Sequence, residues 1–459
     1  MSSSATLMDQ TKAAIAALSN PSETNRANEW LVDFERSAAA WEVSDSLVRE
    51  ENGSYRFFGA KFLYSKVQKQ FIQLDANSGN MLTQSLVQHI LRISQDQSVE
   101  FNVCRYLCLA LAALALQVNQ SGILNQILQW LNPIISTNPN VLLELLIVLP
   151  EEAYNYQIDI PPNIRNGFIR QLTDSAGDVF SFLSSLWPSV SQAIQAKILT
   201  CASKWIDTTS VPSDMIVRSQ VYLHILQSVE SPNEEMFESA IDALIVVFQR
   251  FRCSDKRILD TAIPVILNMR GKWKMTVQSI GSSVGDDVDD DDRNTCRALC
   301  RLFTESSEAC MDEFLTPTST MAGQFDLVTQ LLDCTRMNCD ASISRIPLKF
   351  FYDLAMMVRL QADDDYQYSA SSSNSALYET LGDGSNHNSD PNNIAAASEN
   401  NRRELNTRYL PIFQCLLQIA LGHLQLPVSV LQGSSSVSEE LLDIRTEWKE
   451  TVMDCCCVL

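Results

Sequence analysis

Glycine and proline are scarce: 14 and 15 in a chain of 459 residues, too few to punctuate a strand-and-turn architecture of this length. Histidine is scarcer still. His89, His224, His387 and His423 are scattered, and none stands in a metalloprotease or nucleophile pattern. The longest unbroken apolar run, Tyr106 to Leu116, falls short of the ~20 residues a membrane helix needs. The opening MSSSATLMDQTK lacks a basic region followed by an apolar one, so neither a membrane span nor a secretion signal is expected. There is no phosphate-binding glycine loop of the P-loop or dinucleotide type, and no cofactor is expected on the chain.

What is present points to an extended helical core. Hydrophobic residues make up 46% of the chain, yet its length exceeds what one compact core supports, which leaves separate domains or a solenoid that grows by stacking. The thirteen cysteines, without secretion, read as reduced thiols used as small core hydrophobes. A formal net charge of −21 repels nucleic acid and attracts basic proteins.

Helical periodicity recurs throughout. Asn20, Pro21 and Glu23 have the makings of a helix start, with Asn20 as cap. Ala27, Trp30, Leu31 and Phe34 then fall on one apolar stripe, which must be buried against another helix. A second helix is expected around Trp41 to Arg49 and a third from about Ser54 to Leu74. In the third, Phe57, Ala60, Tyr64, Val67 and Phe71 form one stripe, while Phe58 and Phe62 project from the far side beside Lys66 and Lys69. Such a helix touches something on both sides, as helices in a stack do. Later segments repeat the theme, among them Val99 to Val118, Val141 to Leu149 closed by Pro150, Phe168 to Leu172, Val179 to Leu186, Val190 to Trp205, Met215 to Val229 and Met236 to Phe251. The pattern amounts to about ten hairpins at the ~40-residue spacing of HEAT and armadillo units. The fold class is therefore all-α, an α-α superhelix of antiparallel hairpins.

Two stretches break the pattern: Gly281 to Asp292, which ends in aspartates, and the serine- and asparagine-rich tract from Gln361 to Asn401. Neither can bury enough surface to offset the entropy of ordering, so both read as solvated insertions.

The segment RANEWLVDFERSAAAWEVSDSLV, residues 26 to 48, resembles the first helices of importin-β (karyopherin) superfamily receptors, most of all the transportin-SR and importin-13 branch. Trp30, Arg36, Ser37, Trp41 and Glu42 carry the likeness, which continues in order through FFGAKFLYSKVQKQF (57 to 71), LLELLIVLPEE (142 to 152) and CRALCRLFTESSEAC (296 to 310). The resemblance implies a shuttling receptor of nucleus and cytoplasm, a nuclear import factor that grips the GTP-bound form of the GTPase Ran near its N-terminus. It also implies nucleoporin contacts and a protein cargo, such as serine/arginine-rich splicing factors, with no direct binding of nucleic acid or membrane. Full receptors of the family are about twice this length, so a carboxyl half is expected to be missing. On this reading residues 1–120 are the Ran-binding repeats and 121–280 exportin-1/importin-β-like repeats. An acidic loop follows at 281–293, repeats at 294–360, a disordered insertion at 361–402 and further repeats at 403–459. The alternative is a HEAT-repeat scaffold without Ran dependence.

Candidate partner residues are Phe58, Lys61, Phe62, Lys66 and Lys69 by resemblance, against plain packing between repeats. Asp286, Asp287, Asp289, Asp290, Asp291 and Asp292 are either a solvated loop or a contact for a basic cargo or for Ran's basic surface; the EF-hand offsets are missing. Cys104 with Cys108, and Cys296 with Cys300, sit one helical turn apart, where core packing suffices and zinc is the lesser reading. Gly281 to Gly285 matches the serine-hydrolase elbow but leads into aspartates instead of a helix, so no enzyme is expected. Cys456 to Leu459 fits a prenylation box, here read as a chance match.

Overall fold

The computed structural model describes residues 2–95, 101–118, 122–252, 255–282, 290–315, 323–337, 340–358, 391–425 and 439–458. Among them every regular element is helical and no strand occurs, so the all-α class read from periodicity holds, with hairpins stacked in the HEAT and armadillo manner. The chain divides into two units, Met1–His224 and Ile225–Leu459.

Unit 1 begins with α1 (Ser2–Ala17), α2 (Thr24–Arg36), α3 (Ala40–Leu47) and α4 (Gly53–Gln70), followed by α5 (Ala76–Ser94), α6 (Phe101–Val118), α7 (Ile123–Leu131) and α8 (Ile134–Thr137). It continues with α9 (Pro139–Ala153), α10 (Pro162–Leu186), α11 (Gln192–Thr208) and α12 (Ser213–Arg218). One layer runs α4, α6, α9, α11, each helix packed on the next; α3, α5, α7 and α10 cover it. Because a helix inside such a layer has neighbours on two sides, its apolar surface must be broader than a single stripe. Helix α4 shows this. Ala60 and Val67 are buried, and Phe57 and Tyr64 meet Tyr106 of α6 at ring separations of 5.4 and 6.0 Å. On the opposite side Phe62 meets Phe34 of α2 edge-on at 5.6 Å. Helix α6 is long and apolar enough to span a membrane by composition alone. Its residues from Ala110 to Leu116 are nonetheless buried in the stack against α4, α5 and α9, as a core helix is.

Several local expectations are corrected. Asn20 does not cap α2: its side-chain oxygen accepts from the backbone and hydroxyl of Ser22, an Asx turn, and the helix begins at Thr24. That short-range bond outcompetes the cap. The two segments expected at 168–172 and 179–186 are one helix, α10, because Ser175 and Ala176 carry the buried stripe across the polar stretch between them. The single helix expected over 215–229 is broken at Ser219, whose extended backbone lets its hydroxyl cap the N–H of Tyr222.

Pro150 does not end α9, which continues to Ala153. A helix-interior proline lacks the N–H that would bond the carbonyl four residues back. Here that carbonyl, on Leu146, accepts the indole N–H of the fully buried Trp205 of α11 at 2.7 Å. The gap in one helix is thus filled by the next hairpin.

The boundary between the units falls within α13 (Gln220–Ser228), and unit 2 continues with α14 (Glu234–Phe251), α15 (Lys256–Asn268), α16 (Arg270–Ser282), α17 (Asp290–Ala309), α18 (Met311–Leu315), α19 (Gln324–Thr335) and α20 (Ala341–Ser344). A helical stretch at 348–358 follows, then α21 (Pro391–His423) and α22 (Glu439–Val458). Helix α17 is central, packed on α14, α15, α16 and α19. The insertion expected over 361–402 is shorter at its far end. Residues 361–390 lie outside the described residues, but Pro391 opens α21, since a proline suits a first helical turn and Ala395, Ala396, Ala397, Glu399 and Arg402 are good helix formers.

Substitutions at two glycines and at the α9–α11 seam test the packing. A Cβ at Gly59 would meet Val48 N at 2.8 Å and Leu47 Cβ and Ser44 O at 2.9 Å, so Gly59→Ala is expected to cost about 1–3 kcal/mol through the close approach of α3 and α4. Gly167→Ala, with nothing within 4 Å, should instead stabilise by roughly 0.5–1 kcal/mol; urea midpoints of both variants read the contrast. Trp205→Phe should cost about 2–4 kcal/mol, from lost volume and an orphaned carbonyl. In a Pro150→Ala background that cost should shrink by about 1 kcal/mol, because the restored N–H takes over Leu146 O. Equal costs in the two backgrounds would mean that the indole bond does not compensate for the proline.

Candidate partner-binding surface

The five residues expected to face a partner on α4 divide. Phe62 is buried in a cluster with Leu31, Phe34, Val43 and Leu47, and Phe58 packs half-buried against the same cluster. Lys66, 1% exposed, is not available to a partner either. Its ammonium donates to Ser37 O at 2.7 Å, Gln70 Oε1 at 2.6 Å and Glu35 O at 3.3 Å, and lies 5.0 Å from the Trp41 ring centre. The last carbonyls of α2 have no partner within their own helix and carry the negative end of its dipole, so a cation there is stabilising. Burial pushes the Lys66 amine below its ordinary range, with Glu35 opposing. The signal was legible: Lys66 stands one turn after Phe62, on the same stripe.

Lys61 and Lys69 remain exposed. Lys61 lies over the Phe58 ring at 5.8 Å, and Lys69 pairs with Glu35 at 3.1 Å. These are the two exposed lysines of α4, the second joined to Glu35 of α2.

Of the aspartate run, Asp286, Asp287 and Asp289 lie outside the described residues. Asp290, Asp291 and Asp292 form the first turn of α17, where negative side chains suit the helix dipole. The α14 surface beside them also carries exposed carboxylates, Glu234, Glu235, Glu238 and Asp242, the last paired with Arg301 of α17 at 3.2 Å. Glu238 is pushed above the usual carboxylate range by burial, with Glu234, Asp242 and Asp291 adding to it. The spacing of 234, 238 and 242 was readable as one helix face, but the pairing of α14 with α17 that doubles the patch was not.

Sequence reasoning also missed an ionic ladder across the layer of unit 1. Glu144 and Glu151 lie two turns apart on α9, and Lys197 and Lys204 two turns apart on α11. Arg105 of α6 reaches Glu144 at 2.7 Å and Glu151 at 3.3 Å, while Lys197 meets Glu144 at 2.7 Å and Lys204 meets Glu151 at 3.1 Å. The Glu144 side chain is 2% exposed; a carboxylate so buried persists only when paired, and two cations from flanking helices hold it.

The paired cysteines have packing roles. Cys108 donates weakly to Val141 O and Cys300 to Ile343 O, and the neighbouring Cys104 together with burial holds the Cys108 thiol well above its ordinary value. Among the described residues no group of three or more His, Cys, Asp or Glu side chains is placed to hold a metal. His89 bonds Asp45 at 2.7 Å, His224 stacks on Trp187 and His423 on Trp448. His387 and most of the Gly281–Gly285 match lie outside the described residues. Cys456 is exposed in α22, which runs to Val458.

Residues 102–244 match the family described as Exportin 1-like protein, and residues 291–382 the Transportin-3/Importin-13 second TPR domain. Importin-13 of Mus musculus is 25% identical over 354 residues, covering 73% of this chain and 34% of the relative. Transportin MOS14 of Arabidopsis thaliana is 30% identical over 208 residues, 42% of this chain and 21% of the relative. The mRNA transport regulator MTR10 of Saccharomyces cerevisiae is 27% identical over 273 residues, 54% and 26% respectively. The chain thus spans about a third of the length of the importin-13 relatives it matches. With two family matches in order along the chain, the second of them covering the 296–310 segment, and relatives named importin-13 and transportin, the chain belongs to the importin-β (karyopherin) superfamily, in its transportin and importin-13 branch.

Proposed function

We propose that the chain acts in nuclear import as a non-catalytic receptor segment, binding Ran-GTP through the repeats of unit 1 and attracting a basic protein cargo. The observation that carries this reading is the succession of an exportin-1-like match over 102–244 and a transportin-3/importin-13 match over 291–382 on paired helices. The relatives bear importin and transport names, none the name of an enzyme. Exposed Lys61 and Lys69 supply α4 with cations for the GTPase. The acidic surface of α14 and α17, in a chain of net charge −21, favours basic polypeptides and steers their approach. Serine/arginine-rich proteins are one such cargo class. Nucleoporin contacts and shuttling between nucleus and cytoplasm follow from the same assignment. A HEAT-repeat scaffold without nucleotide dependence is the competing function.

The two are separated by presenting the immobilised chain with purified Ran loaded with a non-hydrolysable GTP analogue or with GDP. The GTP form should be retained and the GDP form bound far more weakly. Lys61→Glu combined with Lys69→Glu should weaken the GTP form roughly tenfold, mainly through association rate. Equal capture of the two forms, or none, would favour the scaffold.

A further inference from the structure

The turn after α9, residues 154–158, is held with more bonds than a connection needs. Tyr154 N and Asn155 N bond back to Glu151 O and Glu152 O, Gln157 N bonds Asn155 Oδ1 at 3.0 Å, and Ile158 is buried. Beneath it lies Arg165 of α10, 8% exposed, whose guanidinium donates to Ala153 O at 2.6 Å, Ile158 O at 2.8 Å and Asn155 O at 3.2 Å. The Asn155 side chain is fixed in turn by Glu152, which also accepts from Tyr64 of α4 at 2.7 Å. Burial raises the Glu152 carboxyl above its ordinary value.

This scaffolding presents two aromatic rings to solvent. Tyr154 is 42% exposed, its hydroxyl tied to Thr208 O at the end of α11 by a 2.8 Å bond; Tyr156 is 79% exposed. One face of Tyr156 is occupied by the Arg165 guanidinium, 5.1 Å from the ring centre. Two exposed carboxylates stand close by in the chain: Asp159, three residues beyond Tyr156, and Asp207, next to the Thr208 whose carbonyl holds Tyr154. Among the described residues neither carboxylate has an ion-pair partner. Rigid tyrosines with few torsions to freeze are the side chains that serve best as binding anchors. An aromatic face beside unpaired carboxylates fits a planar cation better than a compact ammonium.

We propose that the 154–158 turn, with Asp159 and Asp207, is a docking site for an arginine-bearing segment of a partner polypeptide, one guanidinium stacking on the open face of Tyr156. The site rests on the reading of the chain as a receptor for basic proteins and gives that reading a location. Ran plays no part in it, so the two can fail separately.

The test is fluorescence anisotropy of a labelled synthetic peptide of alternating arginine and glycine with the full chain, against the same peptide with lysine for arginine. The arginine peptide should bind several-fold more tightly, in keeping with stacking. Tyr156→Ala should weaken it roughly tenfold and Tyr156→Phe less than about twofold, since the ring and not the hydroxyl makes the contact. Asp207→Asn should weaken it about threefold, while Asp9→Asn, an equal loss of charge on α1, should leave it unchanged. Asp9 and Asp207 are exposed, so thermal melts of their variants should be unaltered, and Tyr156→Phe, which keeps the ring against Arg165, shows whether the loss in Tyr156→Ala exceeds what any lowered stability explains. Absence of binding, equal affinity for the lysine peptide, an unchanged Tyr156→Ala, or equal losses from Asp9→Asn and Asp207→Asn would overturn the proposal; the last would show attraction by net charge alone.

Discussion

The constraint from which the rest follows is that a helix inside a layer of parallel neighbours must bury two sides. Helix α4 does so with Phe58 and Phe62 against α2 and α3 and with Phe57 and Tyr64 against α6. In α6 the run of alanine and leucine from Ala110 to Leu116 is buried on every side. Burial at ~25 cal/mol per Å² of apolar surface is non-directional, so it drives the hairpins together without choosing how they align.

Alignment comes from polar groups at the seams. A buried donor or acceptor left alone costs about 1–3 kcal/mol, which makes each such bond a selector of register. Lys66 joins α4 to the end of α2, Trp205 of α11 fills the carbonyl that Pro150 leaves open in α9, and Arg105, Lys197 and Lys204 bracket the two glutamates of α9. A slip of one residue along the α9–α11 seam would part Lys197 from the buried Glu144 and Lys204 from Glu151. Partner removal at a buried charge costs several kcal/mol, even where replacing the whole pair by apolar groups is neutral. These bonds therefore specify the stack more than they strengthen it.

This division explains what could be read from the sequence. Helices and their buried stripes depend on periodicity within some eighteen residues, and α2, α4, α6, α11 and α14 were legible on that basis. The errors fall where a local signal is decided by a distant one. Pro150 looks like a stop until Trp205, on another helix, is known to take the freed carbonyl. Ser175 and Ala176 look like a break in α10 because small buried residues do not register as apolar. Lys66 looks like a surface cation because lysine usually is one, although its register with Phe62 placed it inside. The ladder on α9 shows only as Glu144 and Glu151 two turns apart, a spacing without meaning until Lys197 and Lys204 are seen opposite.

The same economy limits where partners can bind. Two-sided burial consumes the apolar surface of the layer, and the seam bonds engage most charges that the helices share. What remains for recognition is the outer ends of long side chains, such as Lys61 and Lys69, and the turns between helices. Most turns are poor binding elements because ordering them on contact costs entropy. The 154–158 turn escapes that cost, since Arg165 and Asn155 have already ordered it from below. A buried arginine is expensive to desolvate, and three backbone carbonyls together with an exposed tyrosine ring offset the expense. An apolar residue at 165 would leave the buried carbonyls of Ala153 and Ile158 without a donor and the turn free to reorder. That the chain instead fixes the turn and leaves Tyr156 in solvent is most simply understood if the ring's open face has an occupant.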